Sequence, residues 1–210
     1  MPPEPTDTAS TSTSAASAFA LPPETVTSLA LAPWLHDPGP GAPLLRPFLP
    51  TDRDALAAAA QSEDIGHYTS IEWPFTSDAA SRLIARATAD WRAGTAARFA
   101  IADPAAPGVI LGTASLLHIF PDSSDAEIGY WLGAAGRGRG LARAATEALT
   151  AWAFISLGLA RVHLLVDLDN EASHAVARRA GFTLAGEERW RHPSDPTKDG
   201  PVARYLRERP

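Results

Sequence analysis

Two spacings of apolar residues take turns along this chain. From Leu44 onward, short runs in which apolar residues crowd or alternate give way to stretches where they recur every three or four positions. "LLRPF" reads as a short strand. "TDRDALAAAA" opens with Thr and Asp as caps and continues as a helix. "SIEWPFT" reads as a loop with two aromatics. Ser77 or Asp78 then caps a second helix that runs to about Ala93, with Leu83, Ile84, Ala87 and Trp91 on one face. "ARFAIAD" (97–103) and "GVILGTASLLHIF" (108–120) are strands joined by a Pro-containing turn. "DSSD" turns the chain into "AEIGYWL" (126–132), another strand. A helix over Leu141–Leu157 follows, with Gly158 placed to close it. "RVHLLVD" (161–167) is a strand, "NEASHAVARRA" a short helix stopped by Gly181, and "FTLAGEERW" and "VARYLRER" the last strands. This order predicts a mixed α/β fold around one largely antiparallel sheet.

The pattern fails before Leu44. Residues 1–28 are Pro, Ser, Thr and Ala with little to bury, which predicts a disordered tail. Leu29–Leu35 is a short apolar patch, and "HDPGPGAP" breaks regular structure after it. Residues 29–42 therefore read as an irregular arm and 43–210 as one domain. Composition narrows the function. The net charge of −6 disfavours a general nucleic-acid binder, which carries a basic face. With no cysteine, the chain can form no disulfide, thiolate metal site or cysteine nucleophile. No apolar run reaches the about 18 residues of a membrane span, and no basic and apolar signal-peptide pattern opens the chain. A cytoplasmic protein without membrane or nucleic-acid partners is expected.

Candidate chemistry concentrates between Gly133 and Phe154, "GAAGRGRGLARAATEALTAWAF". Glycines let a backbone turn tightly and bring its amides close to a ligand. A helix N-terminus adds unpaired N–H groups and the positive end of a dipole. A strand, then "GRGRG", then a helix makes an anion cradle suited to phosphate, with Arg137, Arg139 and Arg143 at its mouth. The bland alternative is a flexible turn whose arginines face water. Dinucleotide and P-loop fingerprints both fail: G-x-G-x-x-G/A finds Arg143 or Leu141 at its last position, and no Gly-Lys-Ser/Thr follows.

"RGRGLA" (137–142) fits the R/Q-x-x-G-x-G/A motif of the GCN5-related N-acetyltransferases. "AEIGYWLGAAGRGRGLARAATEALTAWAF", followed by "LGLARVHLLVDLDNEASHAVARRAGF", resembles the RimJ/RimL-like branch, the ribosomal-protein-alanine acetyltransferases. The resemblance spans roughly residues 43–209, from "LLRPF" to the final strand. It implies a single domain whose mostly antiparallel sheet contains one parallel, splayed pair of strands, here 126–132 and 161–167, with helices flanking it.

The resemblance also implies a site. Acetyl-CoA lies in the split, with the backbone of Trp131 and Leu132 along its pantetheine arm. The amides of Arg137, Gly138, Arg139, Gly140, Leu141 and Ala142 hold its pyrophosphate. Asn170 reaches the pantetheine, or caps the following helix, a position Asn suits. Glu127 is the expected general base, the alternative being a surface ion-pair residue; His118 and His163 read as structural. A strand amide within 129–132, freed by a bulge, would stabilise the oxyanion. Many family members carry a tyrosine where this chain has Ala177, which makes Ser173 the nearest candidate proton donor to the leaving thiolate. The loop 65–76 forms the acceptor wall, with His67, Tyr68, Trp73 and Phe75 as an aromatic edge, the alternative being simple packing of that loop on the sheet, and the late loop 191–200 closes the far end.

The implied activity is direct transfer of an acetyl group to a primary amine in a ternary complex, without a metal. A protein N-terminus, a small amine and an aminoglycoside-type antibiotic all fit as acceptor. A CoA-binding sensor without turnover is the rival reading. The chain is expected to act as a monomer or homodimer.

Overall fold

The register of β1 (Leu44–Pro47) against β2 (Ala97–Asp103) sets one edge of the sheet, a place that tolerates Pro47. The computed structural model describes residues 43–119, 124–193 and 195–210. The expected tail (1–28), the arm (29–42) and the first half of the "DSSD" turn lie outside the described residues. Three helices follow β1: α1 (Arg53–Ala59), α2 (Glu63–Tyr68) and α3 (Ser77–Ala93). Then come β2, β3 (Ala106–Leu117), β4 (Asp125–Leu132), α4 (Leu141–Ile155), β5 (Arg161–Asp167), α5 (Glu171–Arg179), β6 (Thr183–Trp190) and β7 (Gly200–Glu208). The strands form one seven-stranded sheet in the order β1-β2-β3-β4-β5-β7-β6. Every neighbouring pair is antiparallel except β4 and β5.

Strand alternation divides the core in two. On β2, Phe99 and Ile101 join the larger cluster, while Ala100 and Ala102 join the smaller. The larger cluster packs Leu141, Ala145, Leu149 and Trp152 of α4 against β3, β4 and β5. Burying a leucine there contributes about 1.5–3 kcal/mol. The smaller cluster holds Leu56 of α1, Ile65 of α2, Phe75 of the following loop, Ala79 and Ala80 of α3, and Trp131 of β4. Among the described residues no helix is long and apolar enough to cross a membrane.

Several boundaries differ from the sequence reading. Helix α2 falls where a plain loop is expected, since six residues around Gly66 are too few to display a helical period. Helix α3 is capped by Thr76, whose side chain accepts from the Ala79 N–H at 3.2 Å, one residue before the expected caps. Helix α4 stops at Ile155, and Gly158 at φ 68° turns the chain three residues later rather than serving as the cap. Gly181, at φ 78°, does end α5.

Asp52 does not cap α1 through its side chain. Its carboxylate instead takes a forked pair of bonds from Arg46 at 2.7 and 2.8 Å and accepts from the Leu49 N–H at 2.7 Å, in a place that leaves the residue 3% exposed. Removing one partner of a buried pair leaves the other charge uncompensated. Asp52→Ala is therefore expected to lower unfolding stability by about 3 kcal/mol, read as a fall in the urea midpoint at unchanged slope.

Candidate functional site

β4 and β5 pair for three residues and then part. The register runs Asp125 to Arg161, Ala126 to Val162 and Glu127 to His163, and no pairing follows. From Ile128 onward the β5-facing edge of β4 has no strand partner. This freed edge comes from the splay and not from the expected bulge, because β4 keeps an unbroken register with β3 from Leu117–Glu127 to Gly112–Leu132. A cavity of about 830 Å³ occupies the split. Its walls come from β4, β5, the glycine loop, the first turn of α5, and the segment Asp64–Ile71 of α2 and its exit.

The glycine loop reaches the mouth of the cavity. Ala134–Gly136 makes one 3₁₀ turn, and Gly138 and Gly140 take left-handed φ values of 72° and 74°. A Cβ at either would touch nothing, so the requirement is conformational and not spatial. Gly140 is the N-cap of α4 and has no side chain to satisfy the first helical N–H groups. Those amides face a ligand or water, with the positive end of a fifteen-residue helix behind them. Arg137, Gly138, Gly140, Leu141, Ala142 and Arg143 line the cavity. Arg139 does not: its guanidinium turns toward Asp103, 3.8 Å away. Arg137 is held by Asp64 of α2 at 2.9 and 3.0 Å and by the Leu132 carbonyl at 3.1 Å. That fork ties the loop to the opposite wall.

Glu127 sits at the vertex of the split, its side chain 15% exposed. It lies 3.3 Å from His118 Nδ1 and 4.0 Å from His163 Nε2. Asp125 holds the other nitrogen of His163 at 3.0 Å and also contacts Arg204 at 3.1 Å. The hydrogen bond that the His118 ring donates to Glu127 raises its pKa above the ordinary value, against the opposing effect of burial. Asn170 does cap α5, accepting from the Ser173 N–H at 3.1 Å. Asn170 also lines the cavity, and the cap uses its amide oxygen rather than its amide nitrogen. Ser173 lines the cavity on the first turn of α5, whereas Ala177, one turn further, is wholly buried in the larger core cluster.

The expected aromatic edge divides. Tyr68 lines the cavity, and burial together with Asp169, Asp167 and Asp64 pushes its phenol upward. His67 is exposed and stands edge-on to the Tyr68 ring at 4.6 Å, away from the cavity. The Trp73 ring covers Gly66 and is 37% exposed. Phe75 is 4% exposed and packs against Trp131 at 6.3 Å, which makes it core rather than wall. Thr69, Ser70 and Ile71 stand in their place. The late loop reaches this wall, since Lys198 Nζ donates to the Gly66 carbonyl. Sequence reasoning missed Asp64, Asp167, Asp169 and Tyr130, all on the cavity. Asp167 is pushed above the usual carboxylate range by burial and by Asp169. Tyr130 alone had a local signal, because alternation along "AEIGYWL" places it across the strand from Glu127.

Residues 44–183 match the acetyltransferase (GNAT) domain. A Bacillus subtilis (strain 168) protein provisionally named ribosomal N-acetyltransferase YdaF is 38% identical over 82 residues, 39% of this chain and 45% of that protein. The ribosomal-protein-serine acetyltransferase of Escherichia coli (strain K12) is 38% identical over 77 residues, 37% of this chain and 43% of that protein. The chain thus spans less than half the length of these curated relatives. A solved RimL, a ribosomal L7/L12 α-N-protein acetyltransferase in complex with coenzyme A, superposes with a TM-score of 0.66 at 25% identity, over 78% of this chain and 92% of that one. A splayed parallel pair, a glycine-rich helix entry at its mouth and the domain match agree: the chain belongs to the GNAT acetyltransferase family, and its neighbours there are RimJ/RimL-like ribosomal-protein acetyltransferases.

Proposed function

We propose that this protein transfers the acetyl group of acetyl-CoA directly to the α-amino group of a protein N-terminus. The observation that carries the reading is the parting of β4 and β5 immediately beyond Glu127, with the glycine loop at the same mouth. The residues present suit the co-substrate. The amides of residues 137–142 and the N-terminus of α4 take the pyrophosphate, Arg143 adds charge, and the unpaired edge at Trp131 and Leu132 meets the amide-bearing arm. Asn170 adds a donor from the facing side. Acetyl-CoA supplies an activated thioester carbonyl and a thiolate leaving group.

The chain's own groups do the rest. An acceptor amine is mostly protonated at neutral pH and needs a base. Glu127 takes that proton, directly or through one water, at the end of the split where the carbonyl would sit. A free amide of β4 within 129–132 faces the developing oxyanion. No cysteine exists to carry the acetyl group, which fits one-step transfer in a ternary complex. Ser173 returns a proton to the departing sulfur. Asp167 and Asp169 give the acceptor side a negative character suited to a cationic amine, and the names of the RimL and E. coli relatives favour a polypeptide amine over a small one.

The test is CoA thiol release with four acceptors: a peptide with a free N-terminus, the same peptide N-blocked, spermidine and an aminoglycoside. Turnover on the free peptide, lost on blocking, is expected. Turnover confined to spermidine or the aminoglycoside overturns the acceptor assignment. Acetyl-CoA binding without thiol release on any amine overturns catalysis and leaves the sensor reading.

A further inference from the structure

One buried hydroxyl in the cavity wall has no assigned work. Tyr130 sits on β4 three residues after Glu127, so strand alternation turns it to the opposite side, toward α4 and α5. Its ring packs against the larger core cluster. Tyr130 lines the cavity, and its oxygen is enclosed there with no partner at full hydrogen-bond geometry. The polar group close enough to affect its ionisation is the Ser173 hydroxyl of α5. A buried hydroxyl without a partner is costly, and native proteins seldom leave one. An unmet donor in the wall of a ligand cavity calls for a ligand atom that accepts.

Resting on the acetyltransferase reading above, we propose that the Tyr130 hydroxyl donates a hydrogen bond to the CoA sulfur as the thiolate leaves. Ala177 is buried and bears no hydroxyl, so Ser173 is the one hydroxyl that α5 brings to this wall; Tyr130 reaches it from the facing strand. The two hydroxyls divide the work. As the C–S bond breaks, the electron pair stays on sulfur and meets the Tyr130 O–H. Burial pushes the phenol up to about 12, so the proton stays on its oxygen and Tyr130 is a fixed donor at neutral pH. Ser173 is only half-buried, and it passes a proton from water to the thiolate. The acceptor nitrogen gives up two protons, one from the ammonium to Glu127 and one after the C–N bond forms; one of them replaces the proton that reaches sulfur and the other is released to water, which closes the balance.

Tyr130→Phe tests this without emptying the ring's place. It should lower kcat about 10²-fold while leaving the acetyl-CoA dissociation constant within about threefold. A second readout does not need turnover. Because the chain has no cysteine, thiolate absorbance in a CoA complex belongs to CoA alone. The bound thiol of the wild type should titrate lower than that of Tyr130→Phe, by about one pH unit for a tenfold weaker stabilisation. Incorporating 3-fluorotyrosine at position 130, a stronger donor of the same shape, should move the bound thiol lower still, and it serves equally if Tyr130→Phe does not fold. An unchanged thiol titration across these forms, or an unchanged kcat in Tyr130→Phe, overturns the assignment. Wild-type protein that binds no CoA overturns the acetyltransferase reading itself and this proposal with it, whereas binding with indifferent thiol titration overturns the proposal alone.

Discussion

Gly138→Glu is expected to abolish acetyl-CoA binding while leaving the domain folded. Gly138 holds φ at 72°, a conformation that costs a non-glycine residue roughly 1–2 kcal/mol. Its Cβ direction is open, so the strain is conformational and local, and no core atom has to move. The added carboxylate stands beside amides arranged for an anion, where it competes for the cradle and repels a pyrophosphate. A ligand that binds only the folded state at 100 times its dissociation constant adds about 2.7 kcal/mol of stability. For a domain of this size each kcal/mol is worth ~2–4 °C in melting temperature. Wild-type protein should therefore rise by roughly 5–10 °C on saturation with acetyl-CoA. Gly138→Glu should show no rise at the same concentration. A rise of equal size in the variant would remove the glycine loop from the cofactor site.

Glu127→Gln is expected to lower kcat by about 10²–10³-fold with acetyl-CoA affinity nearly unchanged. Glutamine keeps the volume and a hydrogen-bond acceptor at the vertex of the split but cannot take a proton from the amine. The same change should be visible at His118. Its pKa lies above the ordinary 6.5 because Glu127 favours the protonated ring. A raised histidine pKa adds stability that is fully present below about 6.5. That stability disappears as the pH rises through the higher, folded-state value. The imidazole is largely exposed, so the gain is small and solvent-screened. In Glu127→Gln the His118 titration should move down toward its ordinary value. The melting-temperature gap between wild type and variant should then be wider at pH 6 than at pH 8.5. A variant with full kcat would assign the base elsewhere.

What the sequence disclosed follows how local each signal is. The glycine loop and α4 were readable because strand, glycines and helix are consecutive, and their chemistry depends on backbone alone. The base candidate was readable because one strand carries Glu127 beside the loop. The sheet order was not, since β7 enters between β5 and β6 through pairings that no short window contains. The fork between Arg137 and Asp64 joins residues 73 apart in the chain, on elements with nothing in common until they pack. It leaves one of the expected pyrophosphate arginines tied to the acceptor wall. Aromatic residues misled in the segment 65–76. Phe75 and Trp73 carry the same apolar surface whether they cover a ligand or the sheet, and here Trp131 and Gly66 receive them. The cap roles of Asp52 and Thr76 turned on which neighbour came within reach, a matter of tenths of an ångström that residue type does not record.

A crystal structure of the full chain with CoA would show whether the co-substrate enters between β4 and β5. The pyrophosphate is expected on the amides of residues 137–142, the arm along the unpaired edge at Trp131 and Leu132, and the sulfur between Glu127 and the Tyr130–Ser173 pair. CoA bound anywhere else, or lying across the mouth without entering between β4 and β5, would contradict it.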